Sequence, residues 1–135
     1  MMQLESMLDS HPAPAHSDGD IARACVEACY ECSAICATCA DACLAEPAVA
    51  DQVTCIRLNL DCSDICEVTG RLFARPSQRD AQALALQLEA CAAICRACGD
   101  ECASHASHME HCRICAETCR RCAAACDRMR SALAA

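Results

Sequence analysis

The sequence predicts an all-α protein, an antiparallel up-down-up-down four-helix bundle with a cysteine-lined core. Three observations predict it. Eighteen cysteines recur at spacings of mostly three and four inside four separate segments, and spacings that sum to seven put side chains on one helical stripe. Only three Gly and four Pro occur in 135 residues, so long stretches run unbroken. The prolines and capping residues fall between the cysteine segments. The connections are therefore short, and short connections between long helices imply antiparallel neighbours.

Residues 1–17 read as an N-terminal tail with room for one short helical segment near Leu4 to Leu8, and residues 18–135 as the bundle. The first helix can be capped by Asp18 or Asp20. It carries Cys25, Cys29, Cys32, Cys36, Cys39 and Cys43, and must end near Ala45, ahead of Pro47. Pro47 suits the first turn of the second helix. That helix carries Cys55, Cys62 and Cys66 and runs to about Arg75, where Pro76 stops it. Ser77 with Asp80 can open the third, which holds Cys91, Cys95, Cys98 and Cys102. Ser107 with Glu110 is a capping-box pattern for the fourth, which holds Cys112, Cys115, Cys119, Cys122 and Cys126. Each helix is roughly 25 residues, or about 38 Å.

Charge decides where the stripes point. Glu27, Glu31 and Asp41 lie opposite the thiols of the first helix, and Glu117, Arg120, Arg121 and Arg128 opposite those of the fourth. Charged side chains take the solvent side, so the sulfurs face the bundle axis. Cysteine can serve merely as a small hydrophobe, but Ala or Val would pack there without the risk of oxidation.

Composition excludes several classes. A formal net charge of -8 disfavours nucleic-acid backbones and anionic membranes. No apolar run reaches the roughly 18 residues of a membrane-spanning helix. The start, MMQLESMLDSHPAPAHSDGD, has no basic region, apolar stretch or twin arginine, which reads as a cytoplasmic chain. The cysteine content is that of a disulfide scaffold, yet the cytosol keeps thiols reduced. Thiols four apart on one helix also have Cβ atoms about 5–6 Å apart, beyond the roughly 3.5–4.5 Å that a disulfide needs.

A metal between two thiolates fits better. At about 2.3 Å per metal–sulfur bond, the zinc value, an opposed S–metal–S unit spans about 4.6 Å. Rotamers can bring sulfurs at i and i+4 to that separation. Cu(I) is the soft ion that thiolates and thioethers select, and two-coordinate Cu(I) suits Cys-x-x-x-Cys. The chain holds eight non-overlapping pairs: Cys25/Cys29, Cys32/Cys36, Cys39/Cys43, Cys62/Cys66, Cys91/Cys95, Cys98/Cys102, Cys115/Cys119 and Cys122/Cys126. Cys55 and Cys112 remain outside them. Zinc wants four ligands in a tetrahedron, and the second helix has only three cysteines to offer a facing stripe.

These repeated CxxxC pairs, the scarcity of aromatics (one Phe, one Tyr, no Trp) and the missing export signal resemble the cytosolic branch of the bacterial copper storage proteins. The resemblance covers residues 18–133. It implies a four-helix bundle that stores many Cu(I) ions per chain, and a homotetramer of such bundles.

The two ends of the bundle differ. One gathers residues near 43–48 and 102–112, including the stretch CASHASHMEHC with His105, His108, Met109 and His111. His108 lies four and Met109 three residues before Cys112, and His105 three after Cys102. They continue the thiol stripes with imidazole and thioether, which hold copper less tightly than a thiolate pair. These four residues join the eighteen cysteines as candidate metal ligands, His111 with the least certain direction. The opposite end gathers Ile21, Leu72, Phe73, Leu84, Leu88, Met129 and Leu133 as an apolar plug. His11 and His16 in the tail read as solvated. Asn59, four after Cys55, reads as a core hydrogen-bonding residue that could also offer an oxygen.

The function these features favour is high-capacity cytoplasmic Cu(I) storage. A general thiolate buffer for Zn(II) or Cd(II), resembling a helical metallothionein, is the alternative. A thiol oxidoreductase would need one distinctive cysteine of depressed pKa, and a repetitive set singles none out. The chain reads as a non-enzyme whose partners are Cu(I) ions and copies of itself, with neither nucleic acid nor membrane.

Overall fold

The computed structural model describes residues 2–134. A short helix α1 (Met2–Asp9) precedes four long ones, α2 (Gly19–Leu44), α3 (Val53–Phe73), α4 (Ala81–His105) and α5 (Glu110–Ala134). No strand occurs among the described residues. The long helices form a ring in which α2 packs on α3 and α5, and α4 packs on the same two. This is the antiparallel four-helix bundle that the cysteine periodicity predicts.

The helix ends follow the local chemistry with three departures. Asp80 caps α4 as expected, accepting from the Ala83 N–H at 3.1 Å. Asp18 precedes α2 but makes no side-chain cap. Its carboxylate instead accepts both bonds from Arg79 Nη1, at 2.8 and 2.9 Å. Pro47 does not open the second long helix. A 3-10 turn (Val49–Gln52) intervenes and α3 begins at Val53, because the chain must first cross from the α2 to the α3 position. The Ser107–Glu110 capping box does not form, since α5 starts at Glu110 itself and the Glu110 carboxylate accepts from Arg113.

Two contacts fix how α2 lies on α3. Ser33 Oγ donates to the Ser63 carbonyl at 2.9 Å and Ser63 Oγ returns a bond to the Ser33 carbonyl at 2.8 Å. One turn further, the Tyr30 ring lies against Gly70, where an added Cβ would approach Tyr30 Cε1 to 3.1 Å. The tight backbone approach keeps the thiol stripes of the two helices close.

One end is sealed by Val26, Phe73, Leu84, Leu88 and Met129, all buried. Ile21, expected in this plug, is 39% exposed; it sits in the first turn of α2, where Ala22, three before Cys25, takes the buried position on the stripe. The tail is not loose. Asp9 pairs with Arg23, Leu4 packs against the core, and His16 Nε2 hydrogen-bonds the Pro76 carbonyl at 2.7 Å. His11 Nδ1 accepts from the Ala13 N–H. Both histidines thus have partners within the chain.

Candidate metal centre

All eighteen cysteines are buried, none more than 2% exposed, and all are free thiols. The helical period turns every stripe inward, so four stripes face one axis. The buried polar side chains are Ser33, Gln52, Asn59, Thr69 and Thr118, none of them charged. A thiolate formed here therefore has no buried cation to compensate it.

Within single helices, Cys32–Cys36 and Cys62–Cys66 have sulfurs 3.8 Å apart, and Cys115–Cys119 4.0 Å. Contacts between helices are as close or closer: 3.5 Å for Cys36–Cys119 and for Cys66–Cys95, and 3.6 Å for Cys55–Cys102. The CxxxC pair is thus not the structural unit. Sulfurs gather instead in groups of four whose atoms all lie within 4.8 Å of one another. One is Cys29, Cys91, Cys122 and Cys126; the next is Cys32, Cys66, Cys95 and Cys122. Then come Cys32, Cys36, Cys62 and Cys119, followed by Cys36, Cys98, Cys115 and Cys119. Successive groups share members, so the sulfurs form one continuous ladder along the axis.

At the histidine end a mixed group closes the ladder: Cys39, Cys43, Cys112 and His111. His111 Nδ1 lies 3.4 Å from Cys39 Sγ and 3.6 Å from Cys112 Sγ. Its Nε2 lies 3.0 Å from Glu46 Oε1. A carboxylate only accepts, so Nε2 carries the hydrogen and the Nδ1 lone pair faces the sulfurs. That is the arrangement in which an outer carboxylate orients a metal-binding imidazole. Burial pushes the Cys43 thiol up to about 11 and the Cys112 thiol up to about 12, so both hold their protons at neutral pH until something replaces them.

The other expected residues at this end are placed differently. Met109 is buried in the core cluster. His105 is half-buried, with Nε2 3.4 Å from Glu101 Oε1. His108 is exposed, its ring edge-on to His105 with centroids 5.8 Å apart. His111, whose direction the spacing defines least, is the histidine that touches thiols.

Residues 19–131 match the copper storage protein family. The chain belongs to that family. The copper storage protein Ccsp from Streptomyces lividans, in a structure loaded with 10 copper equivalents, is similar over 95% of this chain and 98% of its own. It is 44% identical, with a TM-score of 0.91. A five-copper structure of the cytosolic copper storage protein from Streptomyces lividans is 47% identical over 83% of this chain and 93% of its own, with a TM-score of 0.81. The Cu(I)-bound copper storage protein BsCsp3 is 36% identical over 81% of this chain and 97% of its own, with a TM-score of 0.72.

In this copper storage protein the inner stripe of α3 is fuller than its three cysteines suggest. Gln52, Asn59, Thr69 and Phe73 extend it at the same spacing, and all four are buried. Asn59 sits among sulfurs. Its Nδ2 donates to Cys55 Sγ at 3.3 Å and Cys102 Sγ at 3.5 Å, and its Oδ1 accepts from Cys115 Sγ at 2.9 Å and Cys98 Sγ at 3.3 Å. The amide satisfies thiols from three helices at once. Gln52 is only 3% exposed, and its Oε1 has no hydrogen-bond partner. Asn59 is the core hydrogen-bonding residue that its place four after Cys55 suggests, and the same 3-and-4 spacing, read through polar residues, is the signal for Gln52.

Proposed function

We propose that this chain is a high-capacity cytoplasmic store for Cu(I), held by the eighteen core cysteines with Met109 and the histidines at one end as the transfer route. The shared membership of the sulfur groups carries the reading. Tetrahedral Zn(II) needs four ligands per ion, so even with Cys32, Cys36, Cys119 and Cys122 each shared between two groups it fills the core at a low metal-to-sulfur ratio. Ions of low coordination number can share such sulfurs through bridges, as soft Cu(I) does with thiolates. The solved relatives named for copper loading and for a cytosolic location support the same assignment.

Transfer at the histidine end follows from its chemistry. His111 presents a lone pair to Cys39 and Cys112 and is oriented from outside by Glu46. An imidazole there holds Cu(I) less tightly than a thiolate pair does, so it can receive the ion and give it up to the thiols beneath. Met109 is the neighbouring soft donor, and His105 and His108 form the outer station. The opposite end is plugged beneath its surface by Val26, Phe73, Leu84, Leu88 and Met129.

The chain acts by binding and not by catalysis: no cysteine is set apart by a buried cation, so none is singled out as a nucleophile. Assembly into a homotetramer belongs to the same reading and rests on the family resemblance, and the net charge of -8 weighs against nucleic-acid or membrane partners. Metal competition tests the function. The reduced protein is loaded with Zn(II), then titrated anaerobically with Cu(I) while released zinc is measured. Complete displacement, with copper far exceeding the zinc it replaces, is expected. Zinc retained in the core at saturating Cu(I) would establish the general thiolate buffer instead.

A further inference from the structure

We infer that Met129 is a thioether ligand for a Cu(I) ion at the closed end of the bundle, completing a site with Cys25 and Cys126. The inference rests on the copper-storage reading above.

The inner face of α5 reads Cys112, Cys115, Cys119, Cys122, Cys126, Met129, with Met109 just ahead of its first turn, all buried and spaced by three or four. The sulfur stripe is thus bracketed by a thioether at each end. Met129 is fully buried, and among the described residues no other position facing the closed end extends a thiol stripe with sulfur. At this level α3 presents Phe73, α4 presents Leu84 and Leu88, and α2 presents Ala22 and Val26. A Leu at 129 would fill the plug as these do. Met is a flexible gap-filler in many cores, but here it continues a ladder of soft ligands by one further step.

Chain direction aims the three side chains at the same level of the bundle. Side chains on a helix lean toward its N-terminus. α5 runs toward the closed end, so Met129 leans back toward Cys126 and the thiols. α2 runs away from it, so Cys25 leans down toward Met129. Cys25 is buried one turn before Cys29 on the same stripe, and Cys29 Sγ is 4.0 Å from Cys126 Sγ. Cys126 also belongs to the lowest four-thiol group described above, which makes it the bridge from that group to the new site.

The chemistry favours a thioether in this position. The closed end is walled by Val26, Phe73 and Leu88, and the Arg79 guanidinium beside Phe73 is already paired with Asp18, so it is not free to offset an added thiolate. A neutral sulfur raises the coordination of a Cu(I) bis-thiolate without adding to its negative charge. It is also a ligand class that selects Cu(I) over harder ions.

The test uses selenium as the probe. The protein is made with selenomethionine and with Met2, Met7 and Met109 replaced by Leu, which leaves selenium at positions 1 and 129. It is loaded anaerobically with Cu(I) to saturation, and native mass spectrometry counts the ions bound. X-ray absorption at the selenium edge then reads the neighbours of selenium. A copper shell at bonding distance is expected, and it should vanish in the same protein carrying Met129→Leu, a volume-conserving change that keeps the plug. Selenium that sees only carbon in the fully loaded protein overturns the site while leaving the storage reading intact. Failure of the protein to take up many Cu(I) ions in the mass spectrum overturns the storage reading itself, and the site with it.

Discussion

Loading the interior with Cu(I) should continue well past one ion per CxxxC pair, to about one ion per cysteine, or about 18 per chain. The perturbation is stepwise addition of Cu(I) to the reduced protein without oxygen. Each isolated pair holding one Cu(I) is a bis-thiolate unit of charge -1, so eight pairs leave -8 in the core. Neighbouring units about one heptad apart are separated by roughly 10 Å. At an effective dielectric constant of about 20, each such neighbour contact costs about 1.7 kcal/mol. The eight units lie on four helices about 38 Å long, side by side as well as end to end, and the repulsion of at least seven such contacts, roughly 12 kcal/mol, is comparable with the entire stability of a domain, about 5–15 kcal/mol. The buried polar side chains offer no cation to offset it. At one Cu(I) per thiolate the charge vanishes, and the shared sulfur groups provide the bridges that this ratio requires. Native mass spectrometry with a competing chelator reads the endpoint, and a pH indicator in weak buffer reads proton release. A single tight phase near 18, with about one proton released per Cu(I), is expected from charge neutrality. An endpoint at 8, or about two protons per ion throughout, would refute the neutral-core reasoning.

Three other outcomes are expected. The reduced, metal-free protein should already be helical, because its caps, turns and outer faces form without metal and neutral Cys packs as a small hydrophobe; a random-coil far-UV circular dichroism spectrum would contradict this. Its stability should hold below about pH 9 and fall as pH rises toward 11–12. Burial raises Cys43 and Cys112 from 9.0 to about 11 and about 12, so over that window the unfolded chain has lost protons the folded chain keeps; chemical denaturation midpoints at stepped pH check the sign. Replacing His105, His108, Met109 and His111 together by Ala should slow Cu(I) uptake several-fold and reduce final capacity by no more than about one or two ions. Stopped-flow uptake from a Cu(I) chelate measures both, and an unchanged rate in the fourfold variant would end the proposed route.

The Asp18–Arg79 pair supplies a test of the fold alone. Its side chains are only 14% and 10% exposed, and the Asp18 carboxylate ties the start of α2 to the loop before α4. Asp18→Asn should cost about 2–4 kcal/mol by leaving a nearly buried guanidinium without its counter-charge. Thermal unfolding of the apo-protein should fall accordingly, and a midpoint unchanged within error would show that solvent already screens the pair.

Much of this molecule is local, and what is local was legible. A helix has one period, so the spacing of Cys25 to Cys43 fixes that all six thiols share a face before any partner helix is known. The charged residues opposite fix that the face points inward. Asp80 reads as a cap because its side chain reaches a backbone N–H three residues on, within its own turn. The number of helices, their antiparallel order and the difference between the two ends follow from the same kind of evidence.

What the sequence could not decide depends on how one helix is set against another. The CxxxC pair looked like the binding unit because i and i+4 are the neighbours that a single helix displays. The 3.5 Å approaches of Cys36 to Cys119 and of Cys66 to Cys95 arise from the stagger and rotation of packed helices. Those are set by contacts such as Ser33 with Ser63 and Tyr30 on Gly70, which no periodicity encodes. His111 over His108 is the same lesson at a connection. Residues 106–109 lie between helices, so counting along the chain loses direction there, and only the tertiary fold brings the Glu46 carboxylate across to aim one imidazole at Cys39 and Cys112. The sequence by itself determined that the sulfurs line one interior. The tertiary structure decided which sulfurs meet, because helical phase is a property of one segment and coordination geometry is a property of four.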